Sequence, residues 1–348
     1  MFSFLFKKNK IERPRPQQQK KVNPYEGLIQ LHVADGKAIN WNQTDRLVNQ
    51  NIAITGTMGS GKTQLIKAWL LDTATVKKRI IIDYKADYTD LGFKVTDLKI
   101  EPLPFNPMLP NSFDTKPTRD IKYRLATILQ SYSSEMGGKQ IGAFRSAVEE
   151  YLNADTEGVK NFSNFVEFSL ENELLDGAFV SKVLEPLAEF DIFPKSNTTF
   201  EDFMTNGETS VIVVKNMYSN SMKNLVSHVI IEHLYPYMLA NKKGKLFNGK
   251  FREQQCLLLI DEAKTIMSDK VESLISILKE GREFGYSVWF GTQYLEDFEQ
   301  KKGYKYLKYF PSRFNGKNND EEHKYLKPHN FEVDGKELFI TPYWQRVK

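Results

Sequence analysis

Gly56-Thr57-Met58-Gly59-Ser60-Gly61-Lys62-Thr63 is the stretch that decides the fold. It matches G-x-x-x-x-G-K-[ST] at every position. It lies between an apolar run, Asn51-Ile52-Ala53-Ile54-Thr55, and a segment in which Leu65, Ile66, Trp69 and Leu70 recur at helical spacing. Glycines let the backbone turn tightly enough for several N–H groups to point into one concavity. A helix starting at the end of the turn adds its positive N-terminal end. The pattern predicts a nucleoside triphosphate cradle made of Gly56, Thr57, Met58, Gly59, Ser60, Gly61, Lys62 and Thr63. Lys62 would neutralise the β- and γ-phosphates, and Thr63 would be a Mg²⁺ ligand. A fortuitous glycine turn does not account for the strand before it and the helix after it.

A loop of this kind needs an acid to act on the phosphate. Leu257-Leu258-Leu259-Ile260-Asp261-Glu262-Ala263 supplies one: an apolar strand ending in carboxylates, at the edge where ligands of parallel sheets bind. Asp261 is expected to hold Mg²⁺ through water, and Glu262 to orient and deprotonate the attacking water. Alone, such a pair reads equally as a helix N-cap; the upstream loop favours the catalytic reading. A third block runs from Glu280-Gly281-Arg282 to Gly291-Thr292-Gln293. Gln293, at a strand end, either senses the γ-phosphate and positions water or is an ordinary cap. Arg282 sits at a helix C-terminus, where a cation is favourable anyway; its sharper reading is an arginine finger for a neighbouring subunit.

Further strands are expected at Arg79 to Tyr84, Ser210 to Val214 and Ser287 to Phe290, with helices at Met222 to Met238 and Val271 to Phe284. From Asp120 to Phe190 the periodicity is helical throughout. Alternating strands and helices imply an α/β protein, a mainly parallel sheet with helices on both faces, carrying an all-helical insertion. Residues 1–24 read as a linker or disordered tail, because Pro14, Pro16, a glutamine run and paired lysines lack core-forming side chains. Residues 25–118 and 206–348 would form the two parts of the core, the second with a C-terminal extension, and 119–205 the insertion.

A hydrophobic content of 41% and a charged content of 26% are those of a globular protein with a core. The single cysteine, Cys256, excludes an intrachain disulfide and suits a reducing, cytoplasmic setting. Met1-Phe2-Ser3-Phe4-Leu5-Phe6-Lys7-Lys8 has the wrong order for a secretory signal, and no stretch is long enough for a transmembrane helix. The five histidines show no metal-ligand spacing with the cysteine. The net charge of +4 permits a polyanionic partner without requiring one.

The phosphate loop, Ile82-Asp83-Tyr84-Lys85, Pro104-Phe105-Asn106-Pro107, Asp261-Glu262-Ala263 and the Arg282 to Gln293 block, in this order and spacing, resemble the FtsK–HerA superfamily of hexameric ring ATPases. The resemblance runs from about Leu31 to Arg313. It implies a RecA-like P-loop NTPase core, ATP and Mg²⁺ as cofactors, and catalytic roles for Lys62, Thr63, Asp261, Glu262 and Gln293. It implies an intersubunit role for Arg282; Arg313 is either a second such contact or a surface arginine. The segment before Gly56 leaves no room for the β-barrel of HerA-type members, so the subfamily stays open.

The main expectation is a HerA-like hexameric motor that translocates or unwinds duplex DNA through backbone contacts. Partner proteins would supply targeting or a nuclease. The alternatives are a nucleotide-gated assembly module and a secretion or packaging motor of the same superfamily. Candidate DNA contacts are Lys139, Lys242, Lys243, Lys245, Lys301 and Lys302. Tyr304, Tyr306 and Tyr309 offer stacking faces beside the last two. Each of these runs also reads as a solvated surface.

Overall fold

Strands rich in Ile, Leu, Val and Phe, with no polar alternation, must be covered on both faces. The computed structural model describes residues 26–32, 38–43, 49–133, 136–268, 271–299, 305–316, 329–333 and 336–340. An antiparallel pair, β1 (Gln30–His32) and β2 (Ala38–Asn40), precedes β3 (Ile52–Thr55), the phosphate loop and α1 (Lys62–Asp72). Then come β4 (Lys78–Asp83) and β5 (Lys94–Asp97). A helical block follows: α2 (Pro117–Tyr132), α3 (Gly138–Asn153), α4 (Phe162–Glu171), α5 (Gly177–Phe179), α6 (Glu185–Glu189) and α7 (Phe200–Thr205). The chain returns through β6 (Thr209–Val213), α8 (Asn220–Ala240) and the small pair β7 (Leu246–Phe247) and β8 (Phe251–Arg252). It closes with β9 (Cys256–Asp261), α9 (Lys264–Met267), α10 (Glu272–Phe284), β10 (Tyr286–Thr292), β11 (Ser312–Gly316), β12 (His329–Val333) and β13 (Lys336–Ile340).

Nine strands form the main sheet in the order β13-β12-β11-β3-β10-β9-β4-β6-β5. The seven from β11 to β5 are parallel, and β12 and β13 add antiparallel to the edge. The register aligns Thr292 with Thr55 and Gly291 with Asp261, so the functional strand ends share one edge. Period-2 alternation divides the strands between two cores. Ile52, Ile54, Ile81, Leu257, Leu259 and Trp289 face α1, where Trp41 and Trp69 meet Trp289 edge-on. Ile80, Ile82, Leu258, Ile260, Val288 and Phe290 belong to the other core, with Leu225 and Ile230 of α8 and Leu278 of α10.

The helical block does not carry a core of its own. Ile128, Phe144, Phe165 and Phe200 belong to the same buried cluster as the second sheet face. Its boundaries have local causes. Pro117 and Asp120 occupy the first turn of α2, where a missing N–H costs nothing and a negative charge meets the helix dipole. Thr199 and Asp202 form a reciprocal capping box at α7.

Candidate active site

The loop between β3 and α1 is shaped by two glycines with left-handed backbone, Gly59 (φ 84) and Gly61 (φ 90). A β-carbon is strained in that region. The loop is anchored at its entry, where the Gly56 N–H donates to the Thr292 carbonyl at 3.2 Å, and closed by Ser60 N–H to Thr57 O at 3.2 Å. Gly61 provides no side-chain cap for α1, so the first-turn N–H groups of the helix face the loop. The Ser60 hydroxyl is buried without a protein partner. Met58 projects from the loop and is 94% exposed.

One strand, β10, separates β3 from β9, and Lys62 reaches past it. Its Nζ donates to Asp261 Oδ1, both side chains being buried. The Glu262 N–H also donates to Oδ1 at 3.1 Å, and the Tyr88 hydroxyl donates to Oδ2 at 3.0 Å. Both Asp261 oxygens are therefore oriented. Burial, with the charge of Asp261 and its hydrogen bond, pushes the Tyr88 phenol far above its usual value, so it stays a donor. Gly291 lets β10 pass this carboxylate; a β-carbon there would lie 2.3 Å from Asp261 Oδ1.

Glu262 follows Asp261 with a left-handed backbone (φ 64), and its Oε1 accepts from Lys85 Nζ. Lys85 lies just past β4 on a turn organised by buried Asp83. Asp83 Oδ1 accepts from the N–H groups of Lys85 and Asp87 at 3.1 Å each, and Oδ2 from Tyr88 N–H at 2.9 Å. Burial raises the Asp83 pKa, and these three bonds oppose the shift. Thr55 Oγ1 donates to Asn315 Oδ1 at 2.8 Å, tying the end of β11 to the loop strand.

This donor set fits a hard divalent cation, which takes oxygen ligands. Thr63 and Asp261, flanking Lys62, would hold Mg²⁺ with triphosphate oxygens, and the ion would neutralise phosphate charge. Among the described residues no cluster of histidine, cysteine and carboxylates forms a separate metal site.

Sequence reasoning assigned no role to Asp83, Lys85, Tyr88, Asn315 or Gly291. Asp83 and Lys85 stood in a quoted motif, and an acid ending an apolar strand was the available signal. Tyr88 and Asn315 have no local signature, because their partners lie across the sheet.

The expected residues fall into three groups. The loop residues, Asp261 and Glu262 meet at one sheet edge, and Gln293 follows Thr292 there, exposed to solvent. Arg282 is on the opposite edge: it precedes β10, whose seven residues at about 3.3 Å each put roughly 20 Å between it and the loop. It does not reach its own chain's site. Lys242, Lys243 and Lys245 are exposed on this opposite edge too, before β9, and Lys243 pairs with Glu283 at 2.6 Å. Arg313 donates to the carbonyls of Phe310 and Leu307 at 3.1 and 3.2 Å, closing the turn before β11 while its side chain stays exposed. Lys139 is exposed in the first turn of α3.

One expectation is corrected. Tyr306 and Tyr309 are buried core side chains, so they offer no stacking face to nucleic acid. Their rings fill space under the sheet edge with Phe310. Lys301, Lys302 and Tyr304 lie outside the described residues. Cys256 is buried, as a lone cysteine in an apolar run should be.

Fold and site together define a RecA-like P-loop NTPase. The family described as the type IV secretion-system coupling protein DNA-binding domain matches residues 42–127, from before β3 into α2. The solved structure of VirB4 of Thermoanaerobacter pseudethanolicus superposes with a TM-score of 0.61 at 15% identity, over 92% of this chain and 97% of that one. The plasmid coupling protein TrwB in complex with ADP and Mg²⁺ superposes at 0.53 with 16% identity, over 90% and 81%. TrwB with the non-hydrolysable GTP analogue GDPNP gives 0.57 at 14%, over 91% and 83%. A search of curated protein sequences returns no match. These comparisons bear out the resemblance to FtsK–HerA superfamily P-loop ATPases. At these identities the structural likeness speaks for the fold. Among the described residues no helix is long and apolar enough to cross a membrane.

Proposed function

We propose that this chain is the ATP-hydrolysing subunit of a secretion-type motor that moves DNA, working as a homo-oligomeric ring. One observation carries the hydrolase part: the buried Asp261 carboxylate is fixed by Lys62 and Tyr88 at the mouth of the phosphate loop, with a second carboxylate, Glu262, next to it. The loop and Lys62 bind and align the triphosphate. Glu262 takes the proton from the attacking water. Gln293, exposed on the same edge, orients that water or reports the γ-phosphate. A module used only as a nucleotide switch has no need of such a base.

The matched family is a DNA-binding domain of secretion coupling proteins, and the chain of the solved VirB4 structure is covered over 97% of its length. Both favour the secretion branch of the superfamily over a HerA-like helicase. Arg282 lies on the sheet edge opposite its own site, which suits an arginine that completes a neighbour's site in a ring. Basic residues on that edge and Lys139 on the helical block are candidate backbone contacts for DNA.

ATP turnover with and without duplex DNA tests the reading, with Glu262→Gln as control. The expected result is Mg²⁺-dependent hydrolysis that DNA stimulates and that Glu262→Gln abolishes while nucleotide still binds. Turnover unchanged in Glu262→Gln would remove the assigned base. Hydrolysis with neither DNA binding nor stimulation would exclude DNA as the cargo and leave a protein-secretion motor.

A further inference from the structure

The ion pair between Lys85 and Glu262 has a consequence for that same site. A general base must present a free lone pair to its water. In this structure Glu262 Oε1 is taken by the Lys85 ammonium. The pair spans adjacent strands: Lys85 follows β4 and Glu262 follows β9, and the two strands align Ile82 with Ile260. β3 and the phosphate loop lie on the other side of β9, beyond β10. Lys85 therefore draws the carboxylate toward the β4 side of the sheet.

Both ends of the contact are set by the backbone. Asp83 holds the turn that carries Lys85, through hydrogen bonds to the N–H groups of Lys85, Asp87 and Tyr88. Glu262 is held in a left-handed conformation rare for a glutamate, with its N–H on Asp261. Burial would lower the Lys85 pKa, but the hydrogen bond and charge of Glu262, with Asp261 and Asp87, raise it above the usual lysine value. The lysine is thus charged at neutral pH. Its side chain is 47% exposed against 19% for Glu262, so it can swing out to solvent while the glutamate stays in place.

We propose that Lys85 is a positioning residue that latches Glu262 in a resting orientation for the larger part of the time, so that hydrolysis speeds up when a backbone phosphate of bound DNA draws Lys85 away. The proposal rests on the reading of Glu262 as the base. A half-exposed pair is weak enough for a DNA phosphate, absent from the DNA-free assay, to displace, and strong enough to hold the larger part of the population at rest.

The test is steady-state ATP hydrolysis by Lys85→Met and Lys85→Gln, without DNA, beside Lys85→Arg and Glu262→Gln. Loss of the latch should raise kcat about two- to fivefold in the Met and Gln variants, leaving KM unchanged. Lys85→Arg keeps a cation facing Glu262 and should restore the low rate. A purely structural lysine would not give this split between kcat and KM, nor rescue by arginine. A kcat that is unchanged or lowered in both folded variants overturns the latch. If Glu262→Gln also keeps turning over, the base assignment has failed; if Glu262→Gln is inactive, only the latch has failed.

Discussion

Replacing Gly291 with alanine should disable the site without disturbing the fold. β10 passes β9 with Gly291 opposite Asp261. An added β-carbon would lie 2.3 Å from Asp261 Oδ1, 3.2 Å from its Cγ and 3.3 Å from Lys62 Nζ. Ordinary contact between such atoms is about 3.5 Å, so Oδ1 would have to retreat by about 1 Å. It cannot do so alone, because Lys62 and the Glu262 N–H hold Oδ1 and Tyr88 holds Oδ2. A misplacement of that size in a catalytic constellation costs on the order of 100-fold in rate. The backbone of Gly291 is not in the left-handed region, so alanine itself is tolerated in the strand. ATP turnover should therefore fall about 100-fold, with the thermal midpoint within a few degrees of wild type. Because the effect passes through Asp261, adding Gly291→Ala to Asp261→Ala should cause little further loss. Wild-type turnover in a folded Gly291→Ala protein, or fully additive losses in the double variant, would refute the reasoning.

Tyr88→Phe removes the donor that orients Asp261 Oδ2 and should weaken Mg²⁺ binding about 10- to 100-fold; titrating Mg²⁺ in the ATPase assay measures it, and an unchanged Mg²⁺ requirement counts against the orientation role. Arg282→Ala should hydrolyse ATP poorly only when assembled, and mixing it with Glu262→Gln protein should recover activity at shared interfaces; fully active Arg282→Ala rings would end the assignment to a neighbour's site. Lys78 is lowered to about 8 by burial, against opposing charges of Cys256 and Glu208, from 10.5 in the unfolded chain. Between those values the unfolded chain holds a proton that the folded protein has released, so stability rises with pH there, by at most about 1.4 kcal/mol per unit. Cys256, raised by burial from 9.0 to about 12, works in the opposite sense above pH 9. Denaturant midpoints between pH 8 and 9 should therefore rise in wild type more than in Lys78→Met, and parallel curves would show that Lys78 keeps its proton.

Local patterns carried most of the fold. The apolar runs at Ile52, Ile80, Val211, Leu257 and Val288 have no alternation, and each proved a strand covered on both faces. The helical periodicity after Asp120 became α2 to α4, yet only packing showed that these helices share a core with the sheet. The tyrosines before Arg313 misled, because aromatic residues interleaved with lysines look the same in sequence whether the rings face solvent or, as Tyr306 and Tyr309 do, the interior.

The phosphate loop and the acid pair were determined by sequence alone, since each is a contiguous run whose chemistry depends on its neighbours. Tertiary structure decided what those groups touch. Strand order put one strand between β3, which leads to Lys62, and β9, which ends in Asp261, and set Lys85 beside Glu262, 177 residues away in the chain. It also sent Arg282 to the far edge of the sheet. Such pairings arise from parallel crossovers that join distant segments, and no local pattern encodes which strand ends become neighbours.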